Sequence, residues 1–255
     1  MYDLSDKCVL VTGASKGIGA AVAQRMAEAG AYVAVHYGSD RSGAEAAVAG
    51  VDPSRVRLIG ADFSRLEKVE ALWEQALEWR GRVDVLVNNA AVMRFDGGLE
   101  ETTERWDEVW ETTLAINVLA PARLLRRAVR HYLAEGGGTI ITLSSWAAQK
   151  GVTNPCNIAY GASKAAVHNA TQTIARAHAA DGVLAYCIAP GVVRTRMSED
   201  FAESMGGEDS ITAGLAMKEW VPPDDIAHTA VFLATGLARH LTGATLDING
   251  ASYVR

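Results

Sequence analysis

The chain has 255 residues, of which 49% are hydrophobic and 21% are charged, and its formal net charge at pH 7 is -6. This is an ordinary globular composition, in a chain long enough to bury one large core or two small ones. The acidic balance and the scattered Lys and Arg argue against nucleic acid as a partner, and the lack of a long apolar run argues against a signal segment or a membrane span, so we expect a cytoplasmic protein.

Short runs rich in β-branched residues alternate with longer helical patterns along the chain. The runs predict strands at residues 8–12, 32–36, 56–60, 83–88, 138–144, 183–189 and 244–248. Their apolar residues are continuous rather than alternating, as in parallel strands that are buried on both faces. The intervening stretches predict helices at residues 17–29, 64–80, 103–133, 158–181 and 223–236. This alternation predicts a doubly wound, Rossmann-like α/β fold with right-handed crossovers.

No linker, repeat or low-complexity stretch divides the chain, so residues 1–255 are predicted to form one domain. The least regular long segment is residues 194–220. We interpret this segment as a mobile lid, because long loops in compact domains often carry function.

The cysteines and histidines do not form a recognisable site. Cys8, Cys156 and Cys187 are odd in number and far apart in the sequence, and none of the six His occurs in an HExxH motif. Neither a disulfide framework nor a zinc site is indicated. We therefore expect no bound metal and interpret the thiols as buried or incidental.

The first predicted strand runs into a glycine-rich turn, TGASKGIG, and then into a helical pattern. Gly13 permits a tight turn, Gly17 lets the backbone approach a diphosphate, and Gly19 allows close packing of the helix on the strand. The spacing is GxxxGxG, so these residues alone leave a plain tight turn as the alternative. Asp62 follows the third strand, where it can accept a hydrogen bond from an adenine amino group, and NNAA (88–91) follows the fourth. All these turns meet at one sheet edge, which predicts a nucleotide site there.

A second group of residues indicates acid–base chemistry. Tyr160 and Lys164 are four positions apart in YGASK, so a helix carries them on one face. A nearby ammonium favours the phenolate, and therefore lowers the pKa of Tyr160 from near 10 towards the working pH. Ser144 and Ser145 close the preceding strand, where a hydroxyl can bind a substrate oxygen. Asn117 lies in an otherwise apolar helical stretch, and a locally satisfied polar group is the alternative interpretation.

Together these motifs resemble the single-domain type of the short-chain dehydrogenase/reductase family. TGASKGIG, NNAA, Asn117, the strand end LSS, YGASK and APGVVRT occur in the family's order and span essentially the whole chain. The resemblance implies that Tyr160 transfers a proton, and that Lys164 lowers its pKa and holds the nicotinamide ribose. It also implies that Ser145 orients the substrate oxygen, and that Asn117 holds a water molecule in a proton relay.

The resemblance further implies a bound NADP(H) or NAD(H). The residues expected to bind this cofactor are Gly13, Ser15, Lys16, Gly17, Ile18, Gly19, Tyr37, Ser39, Asp62, Phe63, Asn89, Ala90, Tyr160, Lys164, Pro190, Gly191, Val193 and Thr195.

The end of the second strand favours NADP(H). NAD-selective members of such folds place an Asp or Glu there to bind the ribose 2′-hydroxyl, whereas this chain has Tyr37. Lys16, Ser39 and Arg41 can instead form a site for a 2′-phosphate, although Lys16 and Arg41 are also explained as solvated surface residues. Asp40 would oppose a phosphate if it pointed inward. We expect a preference for NADP(H), with NAD(H) as a possible second cofactor.

The sequence thus predicts an oxidoreductase that moves a hydride between the nicotinamide and a secondary alcohol or ketone. The alternative is a non-catalytic nucleotide-binding regulator on the same fold, which the complete tetrad disfavours. Sugars or polyols, 3-oxoacyl thioesters and cyclic ketones all remain open as substrates. The residues expected to flank the nicotinamide are Trp146, Asn154, Cys156, Met197, Met205 and Trp220, with packing within surface loops as an equal alternative for each. Arg94 is a candidate contact for an acidic substrate, although an exposed, solvated Arg is the favoured interpretation.

The chain departs from the family pattern at two places. Ser145 and Tyr160 are separated by more residues than is usual, which predicts an enlarged loop at 146–159 beside the substrate, and Ala91 replaces a usual Gly. Helical stretches 103–133 and 158–181 are rich in alanine, which allows close packing of helices. By resemblance they form an interface between subunits, so we expect a homotetramer.

Overall fold

The computed structural model describes residues 2–254, and its centre is one sheet of seven parallel strands. The strands are β1 (Cys8–Val11), β2 (Tyr32–Tyr37), β3 (Val56–Gly60), β4 (Val85–Asn88), β5 (Gly138–Leu143), β6 (Val183–Pro190) and β7 (Thr245–Ile248). Their order in the sheet is β3-β2-β1-β4-β5-β6-β7, and neighbouring strands are parallel. The predicted fold class is confirmed, and every predicted strand ends within two residues of the observed one.

The helices cover both faces of the sheet. They are α1 (Gly17–Glu28), α2 (Arg41–Ala47), α3 (Leu66–Arg80), α4 (Thr103–Leu114), α5 (Ala120–Glu135), α6 (Ala147–Lys150), α7 (Ile158–His178), α8 (Arg196–Ser204), α9 (Glu208–Gly214) and α10 (Pro223–Ala234). Residues of α1, α2 and α10 pack in one hydrophobic cluster, and residues of α3, α5 and α7 pack in another. None of the helices between residues 2 and 254 is long and apolar enough to cross a membrane.

Strand β1 illustrates why the apolar runs are continuous. Val9 and Val11 pack in the first cluster with Met26 of α1. Leu10, which points to the other face, packs in the second cluster with Trp73 of α3. Each of these side chains is almost fully buried, and burying one of them stabilises the fold by about 1.5–3 kcal/mol. A strand between two helical layers needs apolar residues on both faces, so it shows no alternation.

The prediction of one continuous helix over 103–133 is wrong because the helix is interrupted. It is interrupted by a π-helical segment, Ala115–Leu119, which separates α4 from α5. Pro121 has no N–H, so the carbonyl of Asn117 cannot receive the hydrogen bond that an α-helix would give it. Inserted π turns of this kind are often found at functional sites.

The segment 194–220 is more regular than the sequence indicated, because it contains α8 and α9. Its two ends are tied together by hydrogen bonds from the N–H of Arg194 to the carbonyl of Val221 (2.9 Å) and from the N–H of Val221 to the carbonyl of Val192 (2.8 Å). The segment also has a small hydrophobic cluster, separate from the two main ones, which is formed by Val192, Ala202, Leu215 and Trp220.

Candidate active site

The carboxyl ends of β1 to β6 surround a cavity of about 600 Å³. It lies where the strand order reverses, between β1 and β4, which is the usual ligand position in open α/β sheets. The predicted site residues that line it are Gly13, Ser15, Lys16, Gly17, Ile18, Gly19, Ser39, Asp62, Phe63, Asn89, Ala90, Ser145, Tyr160, Lys164, Pro190, Gly191, Val193 and Thr195. Within the described chain, Tyr37 and Asn117 are the predicted residues that do not line it.

The glycine-rich turn is closely packed against the loop after β4. Gly13 has a φ of 64°, and a Cβ atom on it would lie 2.8 Å from the Cα of Ala90. A Cβ atom on Gly19 would lie 2.2 Å from the carbonyl oxygen of Gly13 and 2.4 Å from the Nδ2 of Asn89. That amide nitrogen donates to the carbonyl of Gly13 at 3.1 Å. Side chains at these glycines would therefore push the turn away from the sheet edge.

Thr12 holds the glycine-rich turn and the loop after β4 together. From the sequence it was noted only as the first residue of TGASKGIG. Its hydroxyl donates to the carbonyl of Val87 (3.2 Å) and accepts from the N–H groups of Asn89 (2.9 Å) and Ala90 (3.0 Å). A threonine at the last position of a strand, directly before the glycine turn, is the signal that would have indicated this role.

His36 is a cavity residue that the sequence analysis missed. Its Nδ1 accepts from the N–H of Gly13 (3.0 Å), its Nε2 donates to the carbonyl of Ala61 (2.8 Å), and its ring stacks on Phe63 with centroids 4.3 Å apart. Burial lowers the pKa of His36 to about 4, so the ring is neutral at pH 7. His36 thus joins the loops that follow the first three strands.

The prediction that Tyr37 contacts the cofactor does not agree with this arrangement. Successive side chains of a strand point to opposite faces, and here His36 faces the cavity. The ring of Tyr37 packs on Gly60, where an added Cβ would lie 3.0 Å from it.

The residues present fit an adenosine at this end of the cavity. The Oδ1 of Asp62 accepts from the hydroxyl (2.7 Å) and the N–H (2.9 Å) of Ser64. These two hydrogen bonds lower the pKa of Asp62, so it is an ionised acceptor at the cavity wall. The N-terminus of α1 also opens on the cavity, and free N–H groups at a helix start favour a diphosphate.

The expected phosphate site is only partly as predicted. Lys16, Ser39 and Asp40 line the cavity, whereas Arg41 does not, because its Nε pairs with Glu45 at 2.9 Å on the outer side of α2. The Oδ1 of Asp40 caps α2 by accepting from the N–H of Gly43 at 2.8 Å. This bond, with a smaller contribution from the charge of Lys16, lowers the pKa of Asp40. The cation beside this carboxylate is therefore Lys16 rather than Arg41.

Ser145 and Tyr160 meet at the other end of the cavity. The hydroxyl of Ser145 lowers the pKa of Tyr160, which places it beside the phenol, and it accepts from the N–H of Ala147 at 3.1 Å. The hydroxyl of Ser144 lies instead 3.3 Å from the Nδ1 of His168 on α7. Ser145 is therefore the serine with its hydroxyl beside the phenol.

Lys164 lies on the same face of α7 as Tyr160, as expected, but the expected pKa shift of Tyr160 is wrong for this structure. The Nζ of Lys164 donates to the carbonyl of Leu143 (2.7 Å) and lies 5.7 Å from the centroid of the Tyr160 ring. Burial raises the pKa of Tyr160 to about 12, against a smaller opposite effect of the Ser145 hydrogen bond, and lowers the pKa of Lys164 to about 8. Desolvation disfavours the charged form of both groups, and it is the largest cause of both shifts.

Asn117 fixes the position of the loop after β4 by hydrogen bonds to Val92. It is 2% exposed, and its Oδ1 accepts from the N–H of Val92 at 2.8 Å. Its Nδ2 donates to the carbonyl of Val92 (2.8 Å) and to the hydroxyl of Ser163 (3.0 Å). Both donors of the amide are thus used within the protein, so the side chain holds this loop against α7, and its amide nitrogen has no donor left for the predicted water.

A second cavity of about 240 Å³ adjoins the first at Ser145 and Tyr160. Of the residues expected to flank the nicotinamide, Trp146 and Met197 line this second cavity. Asn154, Cys156, Met205 and Trp220 line neither cavity in the described part of the chain. The predicted long loop carries α6 and a 3₁₀ turn, Pro155–Asn157, and α6 forms part of the wall.

Arg94 and Ala91 line the first cavity. The guanidinium of Arg94 binds both carboxylate oxygens of Asp96, at 2.8 and 2.9 Å, so its charge is already paired. This pairing, like the sequence interpretation, disfavours Arg94 as a contact for an acidic substrate. Met93, between them in the chain, lines both cavities.

Three comparisons agree with this fold and site. The family described as enoyl-(acyl carrier protein) reductase matches residues 13–251. The 3-oxoacyl-[acyl-carrier-protein] reductase FabG of Staphylococcus epidermidis is 32% identical over 251 residues, which cover 98% of this chain and 100% of that protein. Dehydrogenase/reductase SDR family member 4 of Pongo abelii is 34% identical over 254 residues, which cover 99% of this chain and 89% of that protein.

A solved structure is similar over the same length. The 3-ketoacyl-(acyl-carrier-protein) reductase from Brucella melitensis, complexed with NADH, has a TM-score of 0.86 and 27% identity, and the match covers 99% of this chain and 100% of that one. The chain therefore belongs to the short-chain dehydrogenase/reductase family, whose members are NAD(P)-dependent oxidoreductases.

Proposed function

We propose that this protein interconverts a ketone and a secondary alcohol, with NADP(H) as its preferred cofactor and Tyr160 as the group that transfers the proton. The observation that carries the proposal is the position of Ser145 and Tyr160 at the junction of the two cavities, since both residues line both cavities. One cavity suits a dinucleotide, and the other suits a small apolar substrate. The carbonyl to be reduced would lie between them.

The bound nicotinamide supplies or accepts the hydride, and the chain supplies orientation and a proton. Two hydroxyls, those of Ser145 and Tyr160, donate to the substrate oxygen and polarise the carbonyl. Tyr160, with a pKa of about 12, is protonated at neutral pH and gives its proton to the developing alkoxide. Lys164 stabilises the phenolate that remains, because a positive charge near the ring favours the charged form.

The proposed cofactor contacts follow the geometry of the first cavity. The glycine turn and the start of α1 would hold the diphosphate, and Asp62 would accept from the adenine amino group. Lys16 and Ser39 would bind a 2′-phosphate. Thr195, whose Cγ2 would lie 3.0 Å from a Cβ on Gly17, lines the cavity beside the glycine turn and would bind the nicotinamide amide or the diphosphate.

Substrate classes are supported to different degrees. The names of the relatives favour a 3-oxoacyl thioester, while sugars, polyols and cyclic ketones remain candidates. Oxidation of NADPH and NADH should be followed with a panel of these compounds. Failure of the whole panel with both cofactors would favour the non-catalytic regulator, for which the named relatives give no support.

Replacing Lys16 by Ala is expected to reduce kcat/KM for NADPH by roughly tenfold to a hundredfold, because a charge-assisted hydrogen bond to the 2′-phosphate is lost. The value for NADH should change by less than about threefold, since NADH has no such phosphate. Steady-state kinetics with both cofactors and one substrate measure this, and Lys68→Ala on α3 is the matched control. Equal losses for the two cofactors, or a higher wild-type kcat/KM with NADH, would contradict the preference.

We also propose a homotetramer. Large apolar side chains are exposed on α5 and near it, with Leu133 45% and Leu119 49% exposed, and Ile158 at the start of α7 is 36% exposed. Covering such residues is a usual reason for symmetric association. Light scattering at micromolar concentration should give four times the chain mass. A monomer at that concentration would refute the proposal.

Two further proposals concern the lid and the location. Segment 194–220 contributes Met197 and Leu215 to the second cavity, which supports its proposed role as a substrate lid within a single domain of residues 1–255. Cys8 and Cys156 are free thiols, which supports a cytoplasmic location because thiols stay reduced there.

A further inference from the structure

The second cavity has one charged side chain in its wall. Within residues 2–254, Lys150 is the only Lys, Arg, Asp or Glu that lines it. The residues around Lys150 are mainly apolar, and they include Val152, Phe201 and Leu215. A cation in such a wall is a candidate for selecting the charge of a substrate.

The ammonium of Lys150 is held by two aromatic rings. Its Nζ lies 4.4 Å from the centroid of the Trp146 ring and 5.2 Å from that of Tyr253. Trp146 is one helical turn earlier in the chain, so the lysine stem lies along the indole. Such cation–π contacts position an ammonium but leave its charge unneutralised.

The two arginines near the reaction site have acidic neighbours, whereas neither Lys150 nor Lys164 forms an ion pair within residues 2–254, and Lys164 instead donates to the carbonyl of Leu143. Arg94 pairs with Asp96 at 2.8 Å, and Arg196 pairs with Asp200 at 2.8 Å. No carboxylate of residues 2–254 forms an ion pair with Lys150. A ligand carboxylate would find this charge available.

The position of Lys150 fixes which part of a substrate it would meet. Ala147 and Lys150 are the first and last residues of α6, and the N–H of Ala147 donates to the hydroxyl of Ser145 at 3.1 Å. The three residue steps from Ala147 to Lys150 advance the helix by about 4.5 Å. The backbone of Lys150 is therefore most of a helical turn away from that of Ala147, and both residues line the same cavity as Ser145 and Tyr160.

We propose that Lys150 selects substrates in which a short apolar segment joins the reacting carbonyl or alcohol to a carboxylate. The inference rests on the proposed function, since the reacting oxygen is the one bound by Ser145 and Tyr160. The carboxylate lies beside the ammonium of Lys150, at the part of the cavity wall formed by Trp146 and Lys150. Oxo acids are then preferred over their uncharged esters.

The test uses three oxo acids of increasing length, namely 4-oxopentanoate, 5-oxohexanoate and 6-oxoheptanoate, each with its methyl ester. Binding to the protein saturated with NADP⁺ is measured by titration calorimetry, and kcat and KM are measured with NADPH. The variant is Lys150→Met, which keeps an apolar stem on Trp146, and Lys68→Met is the control. Comparison of the acid with its ester removes effects of the variant that are unrelated to charge.

In the wild type and the control, the best acid should bind at least about tenfold more tightly than its ester. In Lys150→Met this ratio should fall to about one, with the change in KM rather than kcat. Equal binding of acid and ester by the wild type, no detectable binding of any acid, or a ratio that survives in Lys150→Met would each overturn the inference. A different outcome would separate the two proposals. If the acid binds more tightly than its ester only when Lys150 is present, but neither NADPH nor NADH is oxidised, the inference about Lys150 is upheld and the proposed function is refuted.

Discussion

Replacing Tyr160 by Phe is expected to reduce kcat by about a hundredfold or more, because the group that gives the proton to the substrate oxygen is removed. The ring remains, so cofactor binding and the free energy of unfolding should change little. Steady-state kinetics with NADPH and titration of the cofactor by fluorescence measure the two effects separately. The loss should appear in kcat, since the hydroxyl acts mainly as the reaction proceeds.

Tyr37→Phe is the matched control for this experiment. It also removes a phenolic hydroxyl while keeping the ring, but Tyr37 packs on Gly60 and does not line the cavity. We expect a change in kcat of less than about twofold, in line with a group outside the site. Near-normal turnover by Tyr160→Phe would remove Tyr160 from the mechanism, and a large loss in Tyr37→Phe would restore it as a cofactor contact.

Replacing Gly19 by Ala is expected to lower the free energy of unfolding by about 2–4 kcal/mol and to weaken cofactor binding by at least about tenfold. The new Cβ would lie 2.2 Å from the carbonyl oxygen of Gly13 and 2.4 Å from the Nδ2 of Asn89, so the turn or the loop after β4 must shift. In an open helical position the same change would stabilise by about 1 kcal/mol. Denaturant unfolding and titration with NADPH measure the two effects.

Gly214→Ala in α9 is the control for the stability measurement. A Cβ there has no neighbour within 4 Å, so the variant should be as stable as the wild type or more so. If Gly19→Ala were equally harmless, the close packing of the glycine turn against Asn89 would not matter for folding or for the cofactor.

The sheet was predictable because its strands are buried on both faces and their apolar runs are continuous. The glycines, Tyr160 and Lys164 were predictable because their spacing alone brings them to one turn and to one helix face. The role of His36 was not, since nothing in the local sequence says which of two successive residues at the end of β2 faces the cavity. Position in the sequence alone indicates Tyr37, the last residue of β2. Successive side chains of a strand point to opposite faces, however, and it is His36 that lines the cavity.

Two other predictions were wrong for the same reason: the continuous helix over 103–133 and the pKa of Tyr160 both depend on contacts between residues that are distant in the sequence. The interruption of the helix at Ala115–Leu119 coincides with the bonds of Asn117 to Val92 and Ser163. The pKa of Tyr160 follows from burial by the surrounding protein, which is the largest cause of its shift. A helical wheel shows the lysine beside the tyrosine but not the desolvation of both.

The paired ends of segment 194–220 give the fold a modular element. The segment begins after Val193 and ends before Val221. These two residues pair in an isolated parallel bridge, so the two ends of the segment lie side by side. Because α8 and α9 pack around a cluster of their own, the two main clusters contain none of their residues. Substitutions on α8 and α9 that face the second cavity can therefore change its wall while the sheet, the tetrad and the glycine turn stay as they are.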